Sequence, residues 1–308
     1  MTPPLRVAVV GVGHLGQHHA RLLAAIAGVE LVGVVDTRLE RAAEIAARHG
    51  TTAFTDSRRL LGQVDAVSIA VPTDSHVEVA LPFLERQVAV LVEKPLAGSI
   101  ADVDRLIAAA ELHGALLGAG HTERFNPAVT AGLPLIKDPR FIEVHRLGTF
   151  PERSLDIDVI FDLMIHDLDL LLEVVGEVVG VEAVGVNVLT PKADIANARL
   201  KFASGCIANL TASRISRERV RKARFFQRES YVSIDFAAQE VETYRLVPQA
   251  GGRPAIQGGR VDVTTDEPLR LELEDFVEAV RTGRPTAVQP RAAREALALA
   301  TRIAEMIG

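Results

Sequence analysis

LRVAVVGVGHLG, residues 5–16, is the stretch on which the reading of this chain turns. Its first half, LRVAVV, is a short Val-rich run that is apolar on both faces, the pattern of a strand buried in a parallel sheet. Its second half carries Gly11, Gly13 and Gly16 in the spacing G-x-G-x-x-G. In a strand–turn–helix setting the first glycine permits the tight turn and the second lets a pyrophosphate approach the backbone. The third lets helix and strand pack closely, and the phosphate rests on the helix N-terminus. Taken alone, the spacing is as often an ordinary Gly-rich turn. Here it follows a strand and opens an amphipathic segment, which points to a dinucleotide held by Gly11, Gly13, His14, Leu15 and Gly16.

Working outward, the same phrase recurs to about residue 120. Apolar runs at 5–10, 30–35, 64–71, 88–93 and 115–119 alternate with helical segments at 15–27, 38–49, 75–86 and 99–113. Strands separated by helices predict a doubly wound parallel sheet of the Rossmann type. After 120 the texture changes. IANARLKF-ASG-CIANLTAS (195–213) and RFFQRESYVSIDF (224–236) read as hairpins, 157–175, 267–282 and 290–307 as helices, and GGRPAIQGG (251–259) as a loop. The fold class is therefore α/β. Residues 1–120 form a dinucleotide-binding domain and 121–308 an α+β domain with an open, mainly antiparallel sheet; the last helix, 290–307, is a candidate to pack back on the first domain.

The sheet's C-terminal edge is where ligands of such folds sit. Asp36 ends the second run, 20 residues after Gly16, with Thr37 and Arg38 beside it. A carboxylate there accepts hydrogen bonds from ribose hydroxyls, worth about 1.5–3 kcal/mol, and repels a 2′-phosphate, so NAD is expected over NADP. Arg38 is open to two readings, a solvated helix-start residue or a partner for that phosphate. The third edge offers Val71, Pro72, Thr73 and His76, where His76 is as readily a helix-capping residue as a cofactor contact. The fourth offers Glu93, Lys94 and Pro95, with Lys94 directed into the expected cofactor crevice.

Composition narrows the function classes. Thirty-four basic against 40 acidic residues, a net charge of −6, leave no global basic field for nucleic acid or an anionic membrane. A single cysteine, Cys206, excludes an internal disulfide or a thiolate metal cluster, and no metal site is expected. With no signal-like N-terminus and no bilayer-spanning apolar run, the expected location is cytoplasmic.

DLMIHDLD, residues 162–169, places charges in an otherwise apolar helix. At about 100° per residue, Asp162, His166 and Asp169 share an arc of roughly 60°. An acid and a histidine at this spacing are often a simple exposed pair. Yet the opposite face is apolar throughout, and alcohol oxidation by hydride transfer needs a proton acceptor with a pKa like that of histidine.

GVGHLG, Asp36, EKP at 93–95 and D-x-x-x-H-x-x-D at 162–169 together resemble the glucose–fructose oxidoreductase, inositol dehydrogenase and MocA family over nearly the whole chain. The resemblance implies sugar-type substrates handled at a secondary alcohol. It implies that Lys94 contacts substrate and nicotinamide, and that His166 exchanges the substrate proton with Asp162 as its orienting partner. It also implies a homodimer or homotetramer assembled through the C-terminal sheet. One departure is DVIF at 158–161, where many members carry a Gly pair. GHTERFNPAV (120–129), DLMIHDLDL (162–170), DIANARL (194–200) and ANLTASRISRERVRKARFFQ (208–227) resemble a subgroup that oxidises the 3-hydroxyl of UDP-N-acetylglucosamine, supplying a ketone for amination toward lipid A. Arg124, Asn126 and Asp169 join Lys94 and His166 as substrate-binding candidates. The basic run Arg214 to Arg224 is either a diphosphate site or a solvated or subunit-contact surface. The alternatives to a nucleotide-sugar dehydrogenase are an inositol or polyol dehydrogenase and a non-catalytic NAD-binding sensor.

Overall fold

Strand β1 (Leu5–Val10) turns at Gly11 into helix α1 (Gly16–Ala25), and the phrase repeats through β2 (Val29–Val35), α2 (Leu39–His49), β3 (Thr52–Phe54), β4 (Ala66–Ile69), α3 (His76–Leu84), β5 (Ala89–Glu93), α4 (Ile100–His113) and β6 (Leu117–Gly120). The computed structural model describes residues 3–150, 157–249 and 253–307. The six strands pair in parallel in the order β3-β2-β1-β4-β5-β6. The order reverses at β1, and right-handed crossovers then put α1 and α2 on one face, α3 and α4 on the other. The Val-rich runs are buried because both faces are covered; Val7, Val9, Val67, Val90 and Val92 are inaccessible to solvent. The three-residue β3 is too short to register in hydrophobic periodicity.

The second half supplies α5 (Pro127–Gly132), β7 (Pro139–Leu147), α6 (Ile165–Val175), β8 (Val178–Val186), β9 (Ile195–Phe202), β10 (Ile207–Ser213), β11 (Val220–Gln227), β12 (Ser230–Asp235), β13 (Glu240–Val247) and β14 (Ala255–Val261). They build an eight-stranded sheet, β14-β13-β12-β11-β7-β10-β9-β8, antiparallel except for β7 with β10. One face is apolar: Ile142, Val144, Ala198, Leu200, Ala208, Leu210, Phe225, Val232 and Ile234 alternate inward. Across the other face the register aligns one row, Glu182, Arg199, Asn209, Glu143, Arg224, Ser233, Glu242 and Arg260. The expected loop at 251–259 is corrected in part. Residues 251–252 lie outside the described residues, but 255–261 is an edge strand on β13. Its glycines disguised it, although Gly258 is required there: a Cβ would lie 2.0 Å from the Thr243 carbonyl oxygen.

Helices α7 (Pro268–Thr282) and α8 (Pro290–Ile307) complete the chain. Contacts divide it into two units, residues 1–122 with 269–294, and 123–268 with 295–308. The second domain is thus not the continuous block 121–308, and α8 is divided at residue 294. The reason is packing. Helices α1 and α2 cover the β1–β3 side of their face, and α7 fills the remainder: Leu273, Phe276 and Val277 join Val7, Val9, Ala89 and Leu91 in one core cluster. Burying Phe276 alone is worth about 2–3 kcal/mol. Among the described residues, no helix is long and apolar enough to cross a membrane.

Candidate cofactor and catalytic sites

In the first unit, the loop after β1 is shaped by its glycines. Gly11 has φ +85°, and a Cβ there would lie 2.7 Å from the Ala70 oxygen; at Gly16 one would lie 1.7 Å from the Gly11 oxygen. Around Gly13, by contrast, a Cβ would meet nothing within 4 Å. The outer residues close the turn and the middle one leaves an open cradle, the space a pyrophosphate requires. Arg41 of α2, missed from sequence, braces the loop, donating from Nε to the Val12 carbonyl (2.7 Å) and from Nη2 to that of Gly13 (3.3 Å). His14 and Leu15 complete this turn, and the Leu15 carbonyl accepts from the His18 amide.

Asp36, 8% exposed, stands at the end of β2. Its Oδ1 accepts from the Arg38 backbone N–H at 3.0 Å and lies 3.4 Å from Arg38 Nε, with Thr37 between them. Arg38 is thereby drawn onto the carboxylate while staying exposed, and Oδ2 accepts no bond among the described residues. This carboxylate is a hydrogen-bond acceptor that fits a dinucleotide with free ribose hydroxyls.

After β4, Val71, Pro72 and Thr73 lead through a short 3-10 turn into α3. His76 departs from expectation. It is 1% exposed, with Nδ1 3.0 Å from the Pro95 carbonyl oxygen and Nε2 3.0 Å from that of Val71. Burial lowers its pKa against the opposing pull of these carbonyls. Both ring nitrogens face main-chain oxygens, so His76 sits between two loops and is not itself a cofactor contact.

Glu93 ends β5, and the Lys94–Pro95 peptide is cis. The Glu93 side chain turns inward, 8% exposed, receiving His19 Nε2 at 3.0 Å and the Lys94 backbone N–H at 3.2 Å. That removes Glu93 from direct cofactor contact and leaves Lys94, half-buried, as the chemical group of the motif. Burial would raise the Glu93 pKa, but the His19 hydrogen bond and the Lys94 charge hold it below the ordinary carboxylate range. Glu272 of α7 shares this interior. Burial and the Glu93 charge push its pKa well up, and Thr122 donates to its Oε2 at 3.2 Å. His19, Arg41 and Glu272 carry no linear signal; only the fold brings them to the loop ends.

In the second unit, residues 160–164 form a π-helical turn ahead of α6. Asp158 Oδ1 accepts from the Ile160 and Phe161 amides at its start. The 100° spacing therefore does not extend to Asp162, and the arc deduced from a regular helix is corrected. π-turns of this kind are frequent at functional sites. Asp162 and His166 are both half-buried on consecutive turns, one in the π segment and one opening α6.

The other expected substrate contacts are engaged within the protein. Asp169, 2% exposed, is bound by Arg124 through Nε (2.6 Å) and Nη2 (2.9 Å), and Arg124 also pairs with Glu173 at 2.9 Å. Asn126, also 2% exposed, caps α5. Its Oδ1 accepts from the Ala128 amide, and its Nδ2 donates to Glu123 (3.1 Å) and the Phe236 carbonyl (3.0 Å), leaving no polar atom for substrate. The apolar setting of α6 thus requires ion pairs in place of a wet face. Asp167 likewise pairs with Arg146, which also binds Glu123. The basic run is divided: Arg214 is buried against Asp194 (2.8 Å), while Lys222 and Arg224 pair with Asp235 and Glu143 across the sheet.

These features agree with what the chain resembles. Residues 5–121 match the family model described as oxidoreductase family, NAD-binding Rossmann fold, and 139–229 match the GFO/IDH/MocA C-terminal domain. The chain belongs to the Gfo/Idh/MocA family of NAD-binding Rossmann oxidoreductases. A UDP-N-acetylglucosamine 3-dehydrogenase of Acidithiobacillus ferrooxidans is 42% identical over 305 residues, covering 97% of this chain and 96% of that protein. A solved structure of that organism's UDP-N-acetylglucosamine 3-dehydrogenase superposes with a TM-score of 0.91 at 41% identity, over 98% of this chain and 97% of that one. The myo-inositol 2-dehydrogenase of Thermotoga maritima is 27% identical, covering 96% and 94%.

Proposed function

We propose that the chain oxidises the 3-hydroxyl of UDP-N-acetylglucosamine to a 3-keto sugar with NAD. The observation that carries the substrate is the likeness to the A. ferrooxidans enzyme, which runs through both units rather than through the Rossmann sheet alone. Bound NAD supplies the hydride acceptor. The chain's own residues do the rest. The Gly13 cradle holds the pyrophosphate and Asp36 the adenosine ribose. Lys94 donates to the sugar hydroxyl and polarises it. His166 accepts the hydroxyl proton as the carbon–hydrogen bond breaks, and Asp162 orients the ring and steadies the imidazolium. Asp169 acts at one remove, fixing α6 through Arg124.

The charged row on the open face of the eight-stranded sheet supports assembly as a homodimer or homotetramer. Its alternating signs are self-complementary when a second copy is rotated onto it. Cys206, buried and with its pKa pushed up by burial to about 11, suits a cytoplasmic protein that needs no disulfide. In this reading the keto sugar serves an aminotransfer step toward lipid A.

The test is NADH formation by purified protein with UDP-N-acetylglucosamine, inositol and glucose in parallel, with a ketone trap because the oxidation is uphill. Turnover confined to the nucleotide sugar supports the assignment. Turnover of inositol without the nucleotide sugar replaces it with a polyol dehydrogenase, the reading favoured by the T. maritima relative. NAD binding without turnover of any sugar favours a sensor.

A further inference from the structure

Lys94 lies between two buried histidines that reach it from opposite faces of the parallel sheet. His19, 1% exposed on α1, places Nε2 3.0 Å from Glu93 Oε1, and Glu93 Oε2 accepts the Lys94 backbone N–H at 3.2 Å. Ser68 Oγ lies 2.7 Å from His19 Nδ1. That pairing sets the tautomer: Nε2 carries the proton to the carboxylate, and Nδ1 accepts from the serine hydroxyl. From the other face, His76 on α3 places Nδ1 3.0 Å from the carbonyl of Pro95, the residue after Lys94. A neutral ring carries one proton, here assigned to Nδ1 and donated to the Pro95 carbonyl, while Nε2 lies 3.0 Å from the Val71 carbonyl without donating to it. Neither ring has solvent to bond with instead, so each hydrogen bond fixes the backbone it meets.

We infer that His19 and His76 are positioning residues for Lys94, holding the main chain on either side of it so that its ammonium group is directed at the reacting hydroxyl. The inference rests on the reading of Lys94 given above. It adds that the lysine's aim is set by two side chains that touch neither substrate nor cofactor. A flexible four-carbon side chain on a loose corner samples many directions, whereas misplacement of a reacting group by about 1 Å costs on the order of 100-fold in rate.

Amide variants separate the bonds from the bulk. Glutamine at 19 can donate from the Nε2 position and leucine cannot. Asparagine at 76 retains a donor near Nδ1, toward Pro95, and glutamine retains one near Nε2, toward Val71. Turnover, NAD dissociation constant, melting temperature and amide hydrogen exchange over residues 92–96 are measured for His19→Leu, His19→Gln, His76→Gln and His76→Asn, with Ser68→Ala as a mild probe of the His19 tautomer. Expected are at least a tenfold fall in kcat and faster exchange in His19→Leu and His76→Gln, an NAD dissociation constant within about threefold of the parent, and recovery of most of the loss in His19→Gln and His76→Asn. Equal losses within each pair, or unchanged exchange at 92–96 in all variants, overturn the inference. Should His19→Leu not fold, the His76 pair and Ser68→Ala decide. Exchange is read without any sugar, so failure of the substrate assignment leaves this test intact and separately visible.

Discussion

Arg124 and Asp169 form a two-point ion pair in the second unit, Nε to Oδ2 at 2.6 Å and Nη2 to Oδ1 at 2.9 Å, in place of two separate contacts to substrate. Breaking a buried pair from one side leaves an uncompensated charge, costing about 3–5 kcal/mol. Glu173 still meets Arg124, so Asp169→Asn is expected near the low end, about 3 kcal/mol. Chemical denaturation checks this. The loss should appear in stability first and in the maximal rate only through reduced folded protein, with the Michaelis constant for sugar unchanged; a Michaelis constant that rises with stability intact would return Asp169 to the substrate.

His166→Ala removes the proton acceptor. Turnover is expected to fall by about 10²–10⁴, with NAD affinity by fluorescence titration unchanged. Normal turnover would falsify the assignment of His166.

The glycine loop makes a contrast within one motif. Ala at 16 places a Cβ 1.7 Å from the Gly11 oxygen, so Gly16→Ala should lower the melting temperature and disturb the fold. Ala at 13 meets no protein atom within 4 Å. Gly13→Ala should melt like the parent while its NAD dissociation constant rises about tenfold or more, because the methyl takes the room of the phosphate. Calorimetry of both variants distinguishes the two roles.

Asp36→Ala removes a charged acceptor worth about 1.5–3 kcal/mol, so the Michaelis constant for NAD should rise about 10- to 100-fold. The same change frees Arg38, whose Nε lies 3.4 Å from the carboxylate, and the preference over NADP should narrow. Parallel kinetics with both cofactors measure it; an unchanged ratio would remove Asp36 from the specificity argument.

Glu272 titrates in the opposite sense from a paired surface acid. Burial and the Glu93 charge raise its folded pKa, so the stability it permits is fully present below the unfolded glutamate value of about 4.3 and is lost as pH rises through the folded value. Glu272→Gln keeps the shape of the neutral acid. Its melting temperature should match the parent at low pH and exceed it increasingly toward neutral and alkaline pH. A constant difference across pH would argue against a neutral Glu272.

The sequence made local order legible and long-range pairing illegible. The Val-rich runs and their helices followed from periodicity, because each element's burial is written in its own residues. Lys94 and His166 stood out because a charged residue ending an apolar strand or opening an apolar helix needs a reason. Asn126, Asp169 and His76 read from sequence as ligand contacts, and their polar atoms meet other parts of the protein instead. Their partners are Phe236, Arg124 and the Pro95 carbonyl, up to 110 residues away in the chain. The π-turn hid for a related reason: nothing in FDLM breaks a helical pattern, and the extra residue shows only in backbone geometry.

The return of α7 to the parallel sheet bears on how the protein is made. The ribosome delivers β1 to β6 just over 150 residues before Leu273, Phe276 and Val277 arrive to cover Ala89 and Leu91. During that interval the nascent sheet carries a bare apolar flank, the kind of surface that chaperones bind and that aggregates form from. A fragment cut at residue 122 would keep that flank permanently, so the dinucleotide-binding half is excised cleanly only as a fusion that grafts 269–294 behind β6.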